Sequence, residues 1–325
     1  MVQMKKMFDK EETTKFTGKD CPCLMVRFNK VYWPLMMWVL SFAMTGCDTE
    51  EVQVPAYLHI EPFSLQVTDP EVHGSVSEKI TQARIFLLDK NTGESHGLGV
   101  LTLPGTVTSL VTGEQEINID PMIKANGNTL YLQIYPFYNR FRQDLSLTPN
   151  GDVTVKPLTT YVNNAVFKFI EDFEGPEHIF DVDRDDNPNT SIELSQDDVF
   201  EGNYSGKVTL DPENNVFVVA SKFVYTLSFN QIGKVFMEVN YKTDVPLEFG
   251  VLNIDAQGVE YPNFEFIVLA RNEWNKIYFD MTDLVATASF DRFVFVIRGG
   301  IPFDGDRPVL QKAEIFLDNI KLIHF

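Results

Sequence analysis

The chain has 325 residues, 44% of them hydrophobic and 13% aromatic, with 27 Lys/Arg against 46 Asp/Glu and a formal net charge of −19. A chain this acidic repels phosphate backbones and anionic lipid, which excludes nucleic-acid binding and a basic membrane-contact patch. Only three cysteines occur, so stability must come from apolar cores, and the length suffices for two of them.

Residues 1–24 are polar and aperiodic, include Cys21 and Cys23, and read as an unstructured upstream extension with the effective start at Met25. Residues 25–46 read as a signal peptide. Arg27 and Lys30 precede an apolar run of about 14 residues (31–44), which closes on Met44-Thr45-Gly46-Cys47. A spanning helix needs about 20 apolar residues, and this shorter run contains Pro34. The closing tetrapeptide resembles the lipobox of bacterial lipoproteins, with methionine where leucine is usual. That resemblance implies diacylglycerol on the Cys47 thiol, cleavage before it, and acyl chains such as palmitate as the covalent lipid anchor. Acyl burial anchors at roughly 0.8 kcal/mol per methylene. Cleavage would leave 279 residues with 20 basic and 42 acidic side chains, a net charge of −22. Residues 47–53 form an acidic tether. Its Asp48-Thr49-Glu50-Glu51 run resembles the surface-export signal of Bacteroidota-type lipoproteins, which implies an outer-membrane protein facing the cell surface; a plain solvated tether would also be acidic.

From residue 54 onward the pattern is all-β. Segments 57–67, 83–88, 114–119 and 129–135 are short, rich in β-branched and aromatic residues, and bounded by Gly, Pro, Asn or Asp. Pro149-Asn150-Gly151-Asp152 lies between apolar alternations and predicts a hairpin turn. With no βαβ rhythm, this spacing predicts a β-sandwich over 54–162. A second sandwich is expected over 163–325. In residues 235–242, Val235, Met237, Val239 and Tyr241 alternate with Phe236, Glu238, Asn240 and Lys242, predicting a strand with one packed face and one partly exposed. Segments 264–270, 276–280, 293–298 and 314–322 continue the strands, and 281–286 is the best helix candidate.

Four landmarks in the second half carry a resemblance. They are Asp172-Phe173-Glu174-Gly175, Tyr204-Ser205-Gly206-Lys207-Val208-Thr209-Leu210, the run from Glu273-Trp274 to Asp280, and Ile315-Phe316-Leu317-Asp318-Asn319-Ile320. In that order they resemble the jelly rolls of the galactose-binding-like superfamily, which includes many carbohydrate-binding modules. The first half, through the run from Pro55 to Phe63, Gly74-Ser75, Leu103-Pro104-Gly105 and Tyr135-Pro136-Phe137-Tyr138, is similar to the immunoglobulin-like half of Bacteroidota lipoproteins. That family implies location and architecture but no activity.

Local catalytic motifs are absent: no H-E-x-x-H, G-x-S-x-G, P-loop or G-x-G-x-x-G occurs. His59, His73, His96, His178 and His324 are widely separated, and the one thiol left after cleavage would carry lipid. The reading is therefore non-enzymatic. The jelly-roll resemblance implies a structural Ca²⁺ held by Glu174 and Asp318 with Asp172 assisting; the alternative is backbone hydrogen bonding at a strand bend. Residues 181–187 imitate an EF-hand start, but Asp186 replaces the required glycine, which favours a solvated acidic loop. Sugar binding needs aromatic platforms beside amide, acid or guanidinium groups. Trp274 reads as core, leaving Glu238, Asn240, Tyr241, Tyr261 and Arg298 as ligand-binding candidates.

These readings converge on a lipid-anchored two-sandwich protein whose jelly roll captures a glycan or glycoconjugate. The alternative is an accessory subunit of an outer-membrane protein complex. The first predicts a groove lined by Tyr, Arg and Asn; the second predicts a large apolar patch.

Overall fold

The computed structural model describes residues 53–226, 233–286, 290 and 292–325. Cys47, the extension, the signal segment and all of the tether but Gln53 lie outside the described residues. Among the described residues no helix is long and apolar enough to cross a membrane.

The first half carries β1 (Ala56–Ile60), β2 (Ser64–Gln66), the one-turn helix α1 (Pro70–His73), β3 (Gln82–Asp89), β4 (Ser95–Thr102), β5 (Gly105–Ser109), β6 (Gly113–Lys124), β7 (Leu132–Ile134), β8 (Phe141–Leu147), β9 (Asp152–Val155) and β10 (Leu158–Thr160). Its main sheet has the order β4-β3-β6-β7, with β8 also paired to β6. Facing it are β5-β1-β9 and the pair β10-β2. The period-2 alternation of strands puts Leu58 and Ile60 from β1, Ile85 and Leu87 from β3, and Ile117 and Ile119 from β6 into one apolar core.

The second half carries β11 (Val166–Glu171), β12 (Val182–Asp183), β13 (Glu193–Ser195), β14 (Ser205–Leu210), β15 (Val216–Ala220), β16 (Tyr225–Thr226), β17 (Val235–Thr243), β18 (Leu247–Ile254), β19 (Glu260–Val268), β20 (Arg271–Asp280), the helix α2 (Thr282–Ala286), β21 (Arg292–Gly300), β22 (Phe303–Asp304), β23 (Arg307–Pro308) and β24 (Ala313–His324). One sheet runs β13-β14-β24-β17-β20 with β11 on β24; the other runs β12-β15-β21-β18-β19 with β16 on β21. Met237, Val239, Phe279 and Leu317 of the first sheet share a core with Phe217, Phe249, Phe295 and Ile297 of the second. The protein is all-β, built from sheets packed face to face.

Two landmarks that look separate in sequence meet in this sandwich. Phe173 is fully buried, and a Cβ on Gly206 would come within 2.5 Å of its ring. The Ser205-Gly206 pair is therefore the seat for the Phe173 side chain, and any larger residue at 206 would displace it.

Two expectations are corrected. Asn150-Gly151 makes a turn, with the Gly151 N–H donating to the Thr148 carbonyl at 2.9 Å. The flanking strands do not form a hairpin, because β8 pairs with β6 and β9 pairs in parallel with β1. β17 also lacks an exposed face. Its Val235, Met237, Val239 and Tyr241 enter the sandwich core, while Phe236, Glu238 and Asn240 on the other face are buried as well. The cause is the first half of the chain, which covers that face: Phe236, Tyr278 and Ile323 join the first-half core. The Phe236 ring lies 5.2 Å from Tyr135 in an edge contact. Gln53–Phe325 forms a single compact unit.

Candidate functional site

The junction between the halves is held by the turn joining β6 to β7. Asn126 and Gly127 both have positive φ, 56° and 68°, a conformation that Asn and Gly tolerate and other residues resist. The reversal points the turn at β20. The Asn126 N–H donates to the Tyr278 carbonyl at 2.8 Å, and the Asp280 N–H donates to Asn126 Oδ1 at 2.8 Å. Ala125 bridges in parallel to Tyr278. The expected strand 129–135 shortens to β7 because residues 128–131 complete this turn, with the Leu130 N–H capped by Asn128 Oδ1 at 2.9 Å.

Two clefts flank the docked turn and share Asn126, Asn128 and Ile267 in their walls. The first has a volume of about 540 Å³ and is lined by Lys79, Lys124, Arg271, Asn275 and the edge of Tyr241. Its polar groups are wired together: Asn275 Nδ2 donates to the Tyr241 hydroxyl at 2.8 Å, and Lys79 Nζ donates to Asn275 Oδ1. The second, about 710 Å³, is lined by Tyr131, Gln133, Glu265 and Asp280. Tyr131 is 62% exposed and offers an open ring for stacking.

Behind the first cleft lies a buried polar cluster. Glu238 Oε2 is 2.6 Å from Lys276 Nζ as a close ion pair. Its carboxylate also accepts from Tyr135 at 2.6 Å and Tyr161 at 3.2 Å. Burial would raise the Glu238 carboxyl, but the charges of Lys276 and Lys321 outweigh it and hold it below the usual range. Burial first, and then the Glu238 charge, push Tyr135, Tyr138, Tyr161 and Tyr278 well above the ordinary phenol value. Tyr278 in turn accepts from the Lys79 N–H at 2.9 Å, fixing the backbone from which Lys79 reaches the cleft.

The five predicted ligand residues are not gathered into one site. Glu238 and Asn240 are 0% and 1% exposed; both face the first half, where Asn240 exchanges hydrogen bonds with Ser77. Tyr241 is core except where its edge and hydroxyl reach the first cleft. Tyr261 and Arg298 lie on the other sheet. Their β18 partners, Asn253 and Glu248, are separated by about 17 Å at the strand rise of ~3.4 Å per residue. Tyr261 donates to Asp255 at 3.2 Å and stacks on Phe290. Arg298 pairs with Glu248 at 2.6 Å and lies 3.8 Å over the Phe264 ring.

Trp274 is half-buried rather than core. Its Nε1 donates to Asp198 at 2.6 Å, and its ring meets Phe200 edge-on. This region also forms a cleft, of about 470 Å³, but both of its lysines are already paired. Lys207 meets Asp197 and Glu314 at 2.5 and 2.9 Å, and Lys242 meets Asp198.

Each expected calcium ligand accepts hydrogen bonds from the protein. Glu174 accepts from the backbone N–H groups of Asn203 and Tyr204 and from the Asn203 amide. Burial acts to raise its carboxyl, and these donors together bring it below the ordinary value. Asp172 accepts from the Glu174 N–H at 3.1 Å. Asp318, fully buried, accepts from the N–H groups of Glu201 and Asn319 at 3.2 and 2.7 Å. All three carboxylates serve backbone amides, and among the described residues no group of three His, Cys, Asp or Glu is placed to hold a metal. In the 181–187 loop, Asp183 and Asp185 likewise cap loop N–H groups, and Arg184 makes two 3.1 Å bonds to Glu260.

No protein-family model matches the chain, and no curated protein matches it. Among solved structures it is similar to the C-terminal family 22 carbohydrate-binding module of Clostridium thermocellum Xyn10B, at 14% identity and TM-score 0.31 over 49% of this chain and 94% of that one. It is also similar to the xylan-binding CBM22-1 domain of Paenibacillus barcinonensis Xyn10C, at 12% identity and TM-score 0.32 over 50% and 97%. A third is the family 11 module of the C. thermocellum cellulase Lic26A-Cel5E, at 14% identity and TM-score 0.33 over 49% and 95%.

Proposed function

We propose that this protein is a non-catalytic, glycan-binding lipoprotein of the cell envelope. Cys47 carries the lipid, residues 47–53 form the tether, and the sugar sits in the clefts at the β6–β7 turn. One observation carries the reading: the junction brings Tyr, Arg and Asn side chains into two adjoining clefts, Tyr241, Arg271 and Asn275 in the first and Tyr131 in the second, with Asn126 and Asn128 in the walls of both. Amides and guanidinium groups bond sugar hydroxyls, and an exposed phenol ring stacks on the apolar face of a pyranose. In the first cleft the polar groups are amides, hydroxyls and cations, which hold a sugar without forming an acid–base pair.

A rival reading, an accessory subunit of an outer-membrane complex, draws on exposed Leu130, Ile267 and Leu269 beside the same clefts. A glycan array probed with the full-length protein in mild detergent separates the two. Glycan capture predicts a coherent set of bound oligosaccharides and loss of signal in Asn275→Ala. A blank array together with co-purification of a β-barrel would favour the subunit.

A further inference from the structure

We infer that the first cleft is selective for sugars carrying isolated acidic groups, with a carboxylate or sulfate seated against Lys79, Lys124 and Arg271; this rests on the glycan reading of the same cleft. In a chain of net charge −19, four cations line one cleft of about 540 Å³. Elsewhere among the described residues most cations are paired, and Arg142, Lys168, Arg292, Arg307 and Lys321, which have no ion pair either, do not line this cleft. Lys207, Lys222, Lys234, Lys242 and Lys312 each lie within 3.1 Å of a carboxylate, as do Arg84, Arg140, Arg184 and Arg298. Lys79, Lys124 and Arg271 have no ion pair among the described residues, although the chain carries a large excess of acids. Lys276, also in the wall, is spent on Glu238.

The three cations also bear on one another. Burial first, then the charges of Arg271 and Lys124, push the Lys79 ammonium below its ordinary value. An anion in the cleft would relieve that repulsion. Arg271 supplies a planar fork that matches carboxylate and sulfate oxygens, and the lysines supply point charges. Asn126 and Asn275 are placed to bond neighbouring hydroxyls. The negative field of the rest of the molecule disfavours densely charged polyanions, so the fitting ligand bears acidic units spaced among neutral ones.

The test is calorimetric titration of the full-length protein with galacturonic acid oligosaccharides, their methyl esters, sulfated galactose oligosaccharides and neutral galactose oligosaccharides. At least one acidic series should bind about tenfold or more tighter than its uncharged counterpart; which series wins identifies the acidic group. The double variant Arg271→Gln/Lys124→Gln alters one exposed and one half-buried side chain. It should keep the wild-type melting temperature and lose that preference, binding the acid no tighter than its uncharged counterpart. Equal affinity for the acid and its ester, or an unchanged preference in the double variant, overturns the inference while leaving the glycan reading intact. No binding of any sugar, charged or neutral, overturns both.

Discussion

Asp318 lies on β24 with no exposed surface and no ion pair among the described residues, and burial raises its carboxyl to about 7. The sign of its effect on stability follows. Its native-state value lies above the ordinary 3.8, so the folded protein keeps the proton longer than the unfolded chain. The contribution is therefore full below about pH 4 and is lost as pH rises through about 7. Urea-derived stability of the wild type should fall across that window relative to Asp318→Asn, by up to about 4 kcal/mol; parallel curves for the two proteins would contradict the assignment. The Asp318-Asn319 landmark was legible in sequence, but its use was not. Whether a carboxylate faces an ion or two N–H groups depends on the Glu201 loop, which is remote along the chain. Glu238 shows the same limit. Strand alternation placed it correctly opposite Met237 and Val239, yet no local pattern could show that Tyr135, Tyr161 and Lys276 would bury it.

At the scale of elements, the β6–β7 turn does the most to build the site. Gly127 has φ of +68°, and a Cβ there would lie 3.1 Å from Ile277 Cδ1. Gly127→Ala should cost about 1 kcal/mol. It should also speed hydrogen exchange at the Asn126 and Asp280 amides, which tie the turn to β20. Exchange rates matching wild type would show that the turn does not hold the junction. The chain contains two Asn-Gly pairs, and they behave differently. Asn126-Gly127 closes a hairpin, whereas Asn150-Gly151 links strands of two different sheets. The local turn chemistry is the same in both, so the distinction lies in long-range pairing. The strands themselves were readable because apolar alternation is local: β3, β17, β20, β21 and β24 all cover the segments expected of them.

At the scale of the whole molecule, the first half covers one face of β17 and β20, and the two apolar cores meet through Phe236, Tyr278 and Ile323. This contact hides Glu238 and Asn240, and it creates the clefts beside the docked turn. The proposed site thus belongs to neither half alone, whereas reading the second sandwich by itself offers Tyr261 and Arg298 on the other sheet. The acidic balance of the chain sharpens the same point, since three cations without an ion pair, Lys79, Lys124 and Arg271, share one junction cleft. The central claim is that sugar binds in the junction clefts. It is tested most directly by titrating the tightest array oligosaccharide against the wild type, Tyr131→Ala and Arg298→Ala. Tyr131→Ala should weaken binding about tenfold, ~1.4 kcal/mol, with Arg298→Ala within about twofold of wild type. Loss of binding in Arg298→Ala with Tyr131→Ala unaffected would contradict the claim and place the ligand on the outer face of the β12-β15-β21-β18-β19 sheet.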